Sequence, residues 1–136
     1  LLKLPSSIAD RKPSPGPGNI LRIVGTPVTP ELLHAIRWAY AEVVRIIKET
    51  DADLWADISQ LVVAYIGGSK LTGVRGDARA YEGIAAVKTV DFMTAKGIYL
   101  PETVARPIIA TLSARAPFIR VMIDATDKAP GTIEYE

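Results

Sequence analysis

The stretch TPELLHAIRWAYAEVVRIIK, Thr29 to Lys48, constrains this chain most. At about 100° per residue, Leu32, Ile36, Ala39, Tyr40, Val43 and Ile47 fall on one apolar stripe. Thr29 can cap the first turn, Pro30 suits the first helical position, and Glu31 complements the positive end of the helix dipole. A helix is therefore expected from Thr29 to about Glu49, with one face that must be buried against something. Its polar remainder is divided by sign. Glu31, Trp38, Glu42 and Glu49 fall on one side, and His34, Arg37, Arg45 and Lys48 on another. A helix held in a bundle and turned toward a polyanion would carry such a basic stripe, and so would an ordinary solvated surface.

What this helix packs on must come from the rest of the chain. The 136 residues make one domain's worth, and 49% are hydrophobic, enough to close a core. The net charge of +1 gives no global pull toward nucleic acid, so any anion binding must come from local clustering of basic residues. The absence of cysteine excludes disulfides and thiolate metal sites. With His34 the single histidine, a histidine-rich metal site is excluded too. No cofactor is expected. No apolar run is long enough to span a membrane, and the N-terminus lacks a signal-peptide pattern. The first residue is Leu, which points to residues removed or left out ahead of it. Many Pro, Ile and Arg residues and few Asn and Gln fit a thermophile.

Residues 1–28 have no helix period. Pro13, Pro15 and Pro17 interleave with Gly16 and Gly18, and each proline removes a donor and fixes φ. The reading is an extended arm with two apolar pieces, LLKL and ILRIV, and basic Lys3, Arg11, Lys12 and Arg22. After the first helix, Asp51 and Asp53 offer caps for a second through LWADISQLVVAYI, stopped by Gly67-Gly68. Gly67 to Gly76 reads as an exposed loop carrying Lys70 and Arg75, with Arg79 just beyond. Its glycines and basic heads suit phosphates or plain solvent, but its spacing lacks the Gly-Lys-Ser/Thr of a phosphate loop. Asp77 would cap a third helix, ARAYEGIAAVKTVDFMTAK. A fourth is expected after Pro101, kinked or restarted at Pro107. FIRVMIDAT suits helix or strand, and is assigned to helix because nothing else in the chain offers it a sheet. Lys128 to Glu136 reads as a tail.

The expected fold is all-α: an antiparallel bundle of four or five helices over 29–136, with the arm of residues 1–28. This layout resembles the major capsid proteins of filamentous archaeal viruses, the rudivirus, lipothrixvirus and tristromavirus group. The resemblance rests on the arm with Lys3, Arg11, Lys12 and Arg22, on the helix with His34, Arg37, Arg45 and Lys48, and on the apolar bundle after it. One departure is that this arm is broken by prolines, where rudivirus arms are helical. The resemblance implies a non-enzymatic virion subunit that polymerises with copies of itself or with a related second subunit. Such a subunit would wrap double-stranded DNA through backbone contacts and would have no small-molecule substrate. The nucleic-acid set would be Lys3, Arg11, Lys12, Arg22, His34, Arg37, Arg45, Lys48, Lys70, Arg75 and Arg79. A self-assembling filament or tail subunit without nucleic acid and a small helical adaptor are the alternatives. A fourth reading is an enzyme holding a divalent ion on Asp51, Asp53 and Asp57, although aspartates at a helix start are commonly caps.

Overall fold

The structure, a computed structural model, describes residues 5, 6, 12, 18–91 and 93–135. Lys3 and Arg11 lie outside them. After a short 3-10 turn at Asn19–Arg22 come β1 (Ile23–Val24), α1 (Pro30–Thr50), α2 (Ala52–Asp57), β2 (Gln60–Arg75), β3 (Ala78–Asp91), β4 (Lys96–Gly97), α3 (Glu102–Ser113) and β5 (Phe118–Asp124). The fold is α/β: a five-stranded mixed sheet with three helices. It replaces the expected all-α bundle.

The first helix starts as its caps dictate. Thr29 accepts from the Leu32 amide at 3.2 Å, and Pro30 opens the helix. Asp51 likewise caps α2, accepting from the Leu54 amide at 2.9 Å, but α2 ends at Asp57 rather than running on to Ile66.

Three segments expected as helix or loop are strand. β2 and β3 form one long antiparallel hairpin, turning at Gly76, whose φ of 60° suits glycine. β1 runs parallel to β2. On the far edge of β3, β5 pairs in parallel with Gly83–Lys88 and β4 pairs antiparallel with Val90 and Asp91. FIRVMID thus does find a sheet, the one built by the two segments expected as helices. The Gly67–Gly76 stretch is the outer half of β2, not a loop. Its Gly68 passes Gly25 so closely that a Cβ on Gly25 would sit 2.9 Å from the Gly68 backbone. Pro107 does not restart α3, which runs unbroken from Glu102 to Ser113 with the proline on its exposed side.

Two parallel crossovers, β1–α1–α2–β2 and β3–α3–β5, place α1 and α3 on one face of the sheet. Ile36, Ala39, Val43, Ile46 and Ile47 of α1 meet Val104, Ile108 and Leu112 of α3 over Leu61, Val63, Tyr65, Ala85, Val87 and Phe118. Each fully buried Leu, Ile or Val there is worth about 1.5–3 kcal/mol of burial. The opposite face carries Val62, Ala64 and Ala86, and among the described residues the apolar side chains packed against them are Ile66 and, from the C-terminal strip, Ile133 and Tyr135.

Candidate functional site

The polar residues worth chemistry gather on the strip-covered face. Strand alternation puts Gln60, Val62 and Ala64 of β2 on it, opposite Val90, Lys88 and Ala86 of β3. Lys88 is 1% exposed, in a buried run of β3 that is apolar but for its neighbour Thr89. Its ammonium donates to Asp124 Oδ2 at 3.0 Å and to the Thr126 carbonyl at 2.8 Å. The Tyr135 hydroxyl donates to the same Asp124 oxygen at 2.9 Å. Burial alone would raise Asp124. Hydrogen bonds from Thr126, Lys88 and Tyr135 outweigh it and hold the carboxyl well below the usual carboxylate range. Tyr135 is pushed up, first by burial, then by its bond to Asp124 and by the negative charges of Asp124 and Glu134.

Next to this cluster, Arg22 is 3% exposed and meets Glu134 Oε1 at 3.7 Å, with the Tyr40 ring 5.8 Å from its guanidinium carbon. Burial pushes the Glu134 carboxyl up against the pull of Arg22. Neither Glu134 oxygen, nor Gln60 Oε1, has a hydrogen-bond partner among the described residues, although all three are buried. Buried polar atoms are paired in most folded proteins, so these three are the places on this face where a polar ligand would find acceptors. Carboxylate, amide and guanidinium together can accept and donate to hydroxyls and bind an anion bidentately.

The other residues singled out in the sequence are spread over the molecule. Lys12 and Lys48 flank one ring, that of Trp55, at 4.4 and 5.1 Å, and Lys12 also donates to the Trp55 carbonyl. Arg45 is forked between Glu42 at 2.7 Å and Glu49 at 2.9 Å, so the acidic and basic sides of α1 meet instead of segregating. Arg37 is exposed. His34 lines an open cleft of about 270 Å³ with Glu31, Arg115 and Pro117. Lys70 and Arg79 are exposed on the outer hairpin. Arg75 folds back onto Glu82 at 2.8 Å and onto the carbonyls of Ser113 and Phe118. Of the predicted residues that the structure describes, only Arg22 belongs with the cluster above. Asp51, Asp53 and Asp57 form no metal site, and no group of three or more metal-ligating side chains occurs among the described residues.

Sequence reasoning missed Gln60, Lys88, Asp124, Glu134 and Tyr135. Gln60 and Lys88 lay inside assumed helices, and Glu134 and Tyr135 in an assumed free tail. A signal existed: LVVAYI is a six-residue apolar run closed by Gly-Gly, the length of a buried strand rather than of a helix.

Comparison with known proteins overturns the capsid resemblance. Residues 37–135 match the family described as GMP synthase C terminal domain. The chain is 40% identical over 141 residues to a glutamine-hydrolyzing GMP synthase subunit of Methanocaldococcus jannaschii, covering 99% of this chain and 44% of the relative. It is 38% identical to the subunit of the same name from Pyrococcus furiosus, over 99% of this chain and 42% of that one. It is 42% identical to that from Methanosarcina barkeri, over 99% and 43%. The chain thus spans less than half the length of these relatives. They carry the name of an enzyme that makes a nucleotide. The non-enzymatic virion subunit, its self-assembly with DNA and its lack of a small-molecule substrate are all set aside on that ground. The chain belongs to the GMP synthase C-terminal domain family.

Proposed function

We propose that this chain is the C-terminal part of a GMP synthase subunit and that its strip-covered sheet face binds the purine nucleotide. The observation that carries the reading is the set of buried oxygens of Gln60 and Glu134 without hydrogen-bond partners among the described residues, beside buried Arg22. Arg22 is next to Ile23, which pairs with Tyr65, and Gln60 lies four residues before Ala64 on β2. Four residues of strand span about 13 Å. That separation suits an extended nucleotide better than a lone phosphate. In this reading Arg22 takes the phosphate, for which a guanidinium fork is well shaped, and Glu134 and Gln60 take hydroxyls of the sugar or polar edges of the base. The family and the relatives' names support GMP as the product. The remaining chemistry belongs to parts of the enzyme beyond this chain, which spans less than half the length of these relatives.

The test is calorimetric titration of GMP into the protein. Saturable binding is expected, weakened at least about fivefold by Gln60→Ala or Glu134→Ala, in line with losing about 1–3 kcal/mol of hydrogen bonding per group. Equal affinity in both variants and the parent would rule the face out.

A further inference from the structure

The strip that carries Glu134 is thin. Thr132 to Tyr135 form no helix or strand, and Glu134 itself is half-buried. A carboxylate placed by so little backbone needs something to fix it, and besides the Arg22 guanidinium 3.7 Å away and the Thr132 hydroxyl on the Glu134 carbonyl, the structure supplies a tie through the next residue. Tyr135 reaches Asp124, which ends β5, and Asp124 is in turn held by Lys88 near the end of β3. The Lys88 ammonium also takes the Thr126 carbonyl, and the Thr126 amide donates back to Asp124 Oδ1 at 2.8 Å. The exit of the chain from β5 is thereby closed into a turn. The return path is secured farther on, where the Gly97 amide donates to Asp127 at 2.9 Å and the Lys128 amide to the Ala95 carbonyl at 2.8 Å.

We propose that Lys88, Asp124 and Tyr135 form a buried latch that positions Glu134, one residue before Tyr135, for the nucleotide. This rests on the nucleotide face described above. Three features argue for a positioning role and not for mere filling of the core. A fully buried lysine is costly unless it is paired and hydrogen-bonded, and an apolar side chain at this place would fill the volume without that cost. Both partners of the ammonium lie at or beyond the end of β5, so its bonds are spent on the path of the strip and not on the sheet. Tyr135 also splits its contacts, its ring against Val62, Ala64 and Ala86 and its hydroxyl on Asp124. The ring gives the strip adhesion, and the hydroxyl sets its register along the face.

The test compares the parent protein with Tyr135→Phe, Lys88→Met, Lys88→Arg and Glu134→Gln, measuring amide hydrogen exchange, melting temperature and GMP affinity. Tyr135→Phe keeps the ring and removes only the bond to Asp124. It should speed exchange at Ile133, Glu134 and Tyr135 about tenfold, the factor set by losing one hydrogen bond to a charged acceptor. GMP affinity should fall about as much, while exchange in α1 and α3 stays as it was. Lys88→Met should do the same to the strip, and Lys88→Arg should restore part of it. Glu134→Gln should weaken GMP binding without loosening the strip. In the intact enzyme, Tyr135→Phe should raise KM for the nucleotide with little change in kcat. The latch is overturned if Tyr135→Phe leaves strip exchange unchanged, or if it speeds exchange equally throughout α1 and α3, which would mean general destabilisation. If the parent protein binds no GMP, the nucleotide reading falls, while strip exchange in Tyr135→Phe still decides whether the latch exists.

Discussion

The two faces of the sheet are buried by different means. On the helix face, Val63, Ala85, Val87 and Phe118 are shut away under α1 and α3, and the residues around them are almost all apolar. On the strip face, the same two strands present Gln60 and Lys88 among Val62, Ala64 and Ala86, under a few residues of irregular chain. The first arrangement maximises transfer from water and leaves nothing to recognise a polar ligand. The second gives up apolar area, and buries two carboxylates that respond in opposite directions. Asp124 is held low by several donors, while burial pushes Glu134 up against the pull of Arg22. A face that only held the fold together would have little use for that asymmetry.

The comparison can be broken most readily at its centre. Phe118→Ala, under the helices and edge-on to Tyr65 with ring centroids 6.0 Å apart, should cost about 3–5 kcal/mol in a denaturant melt. It should leave GMP affinity of the remaining folded protein nearly unchanged. Lys88→Met should cost less, about 3 kcal/mol, because Asp124 loses its cation but keeps two other donors. Unlike Phe118→Ala, it should also weaken GMP binding. If both variants affected stability and binding alike, the division of labour between the faces would not hold.

A pH series sharpens the contrast. The Asp124 pKa is depressed in the folded state, so its stabilisation is present above the unfolded value of about 3.9 and is lost as pH falls from there toward the folded value. The Glu134 pKa is raised, so the folded chain binds that proton more tightly. Its burden is absent below the unfolded value of about 4.3 and grows as pH rises through the folded value. Melts across the acid to neutral range should show Asp124→Asn flattening the acid limb, and Glu134→Gln raising stability toward neutral pH. The smallest effect is expected far from both faces. The exposed Glu102–Arg106 pair on α3 joins two side chains more than two-thirds exposed, and Arg106→Ala should shift the melt by less than it resolves.

The same contrast explains what could be read from the sequence. The helix face left its mark on α1: the stripe of Ile36, Ala39 and Val43 and the Thr29-Pro30 start are visible in the letters and are found in the fold. The sheet left no such mark, because its central strands are covered on both sides. Gln60 to Tyr65 and Gly83 to Val90 are buried without interruption, so the period of two that betrays a half-exposed strand is erased. With that period gone, Leu54, Ile58, Leu61 and Tyr65 passed for a helical stripe. Once β2 and β3 were read as helices, Phe118 to Asp124 had no sheet to join. The site was hidden for a related reason. Its residues come from the turn before β1, the start of β2, the later part of β3, the end of β5 and the last strip, and no spacing along the chain joins Arg22 to Glu134 or Lys88 to Tyr135. Of the basic stripe of α1, Arg45 is taken up by Glu42 and Glu49 and Lys48 lies over Trp55, while His34 and Arg37 are exposed.

The most direct test of the account is hydrogen exchange along the whole chain with and without saturating GMP. Added protection is expected at Gln60 to Ala64, around Arg22 and from Thr132 to Tyr135, with α1 and α3 unchanged. Protection confined to the outer hairpin or the helix face, or none at all, would contradict the assignment of the strip-covered face to the nucleotide.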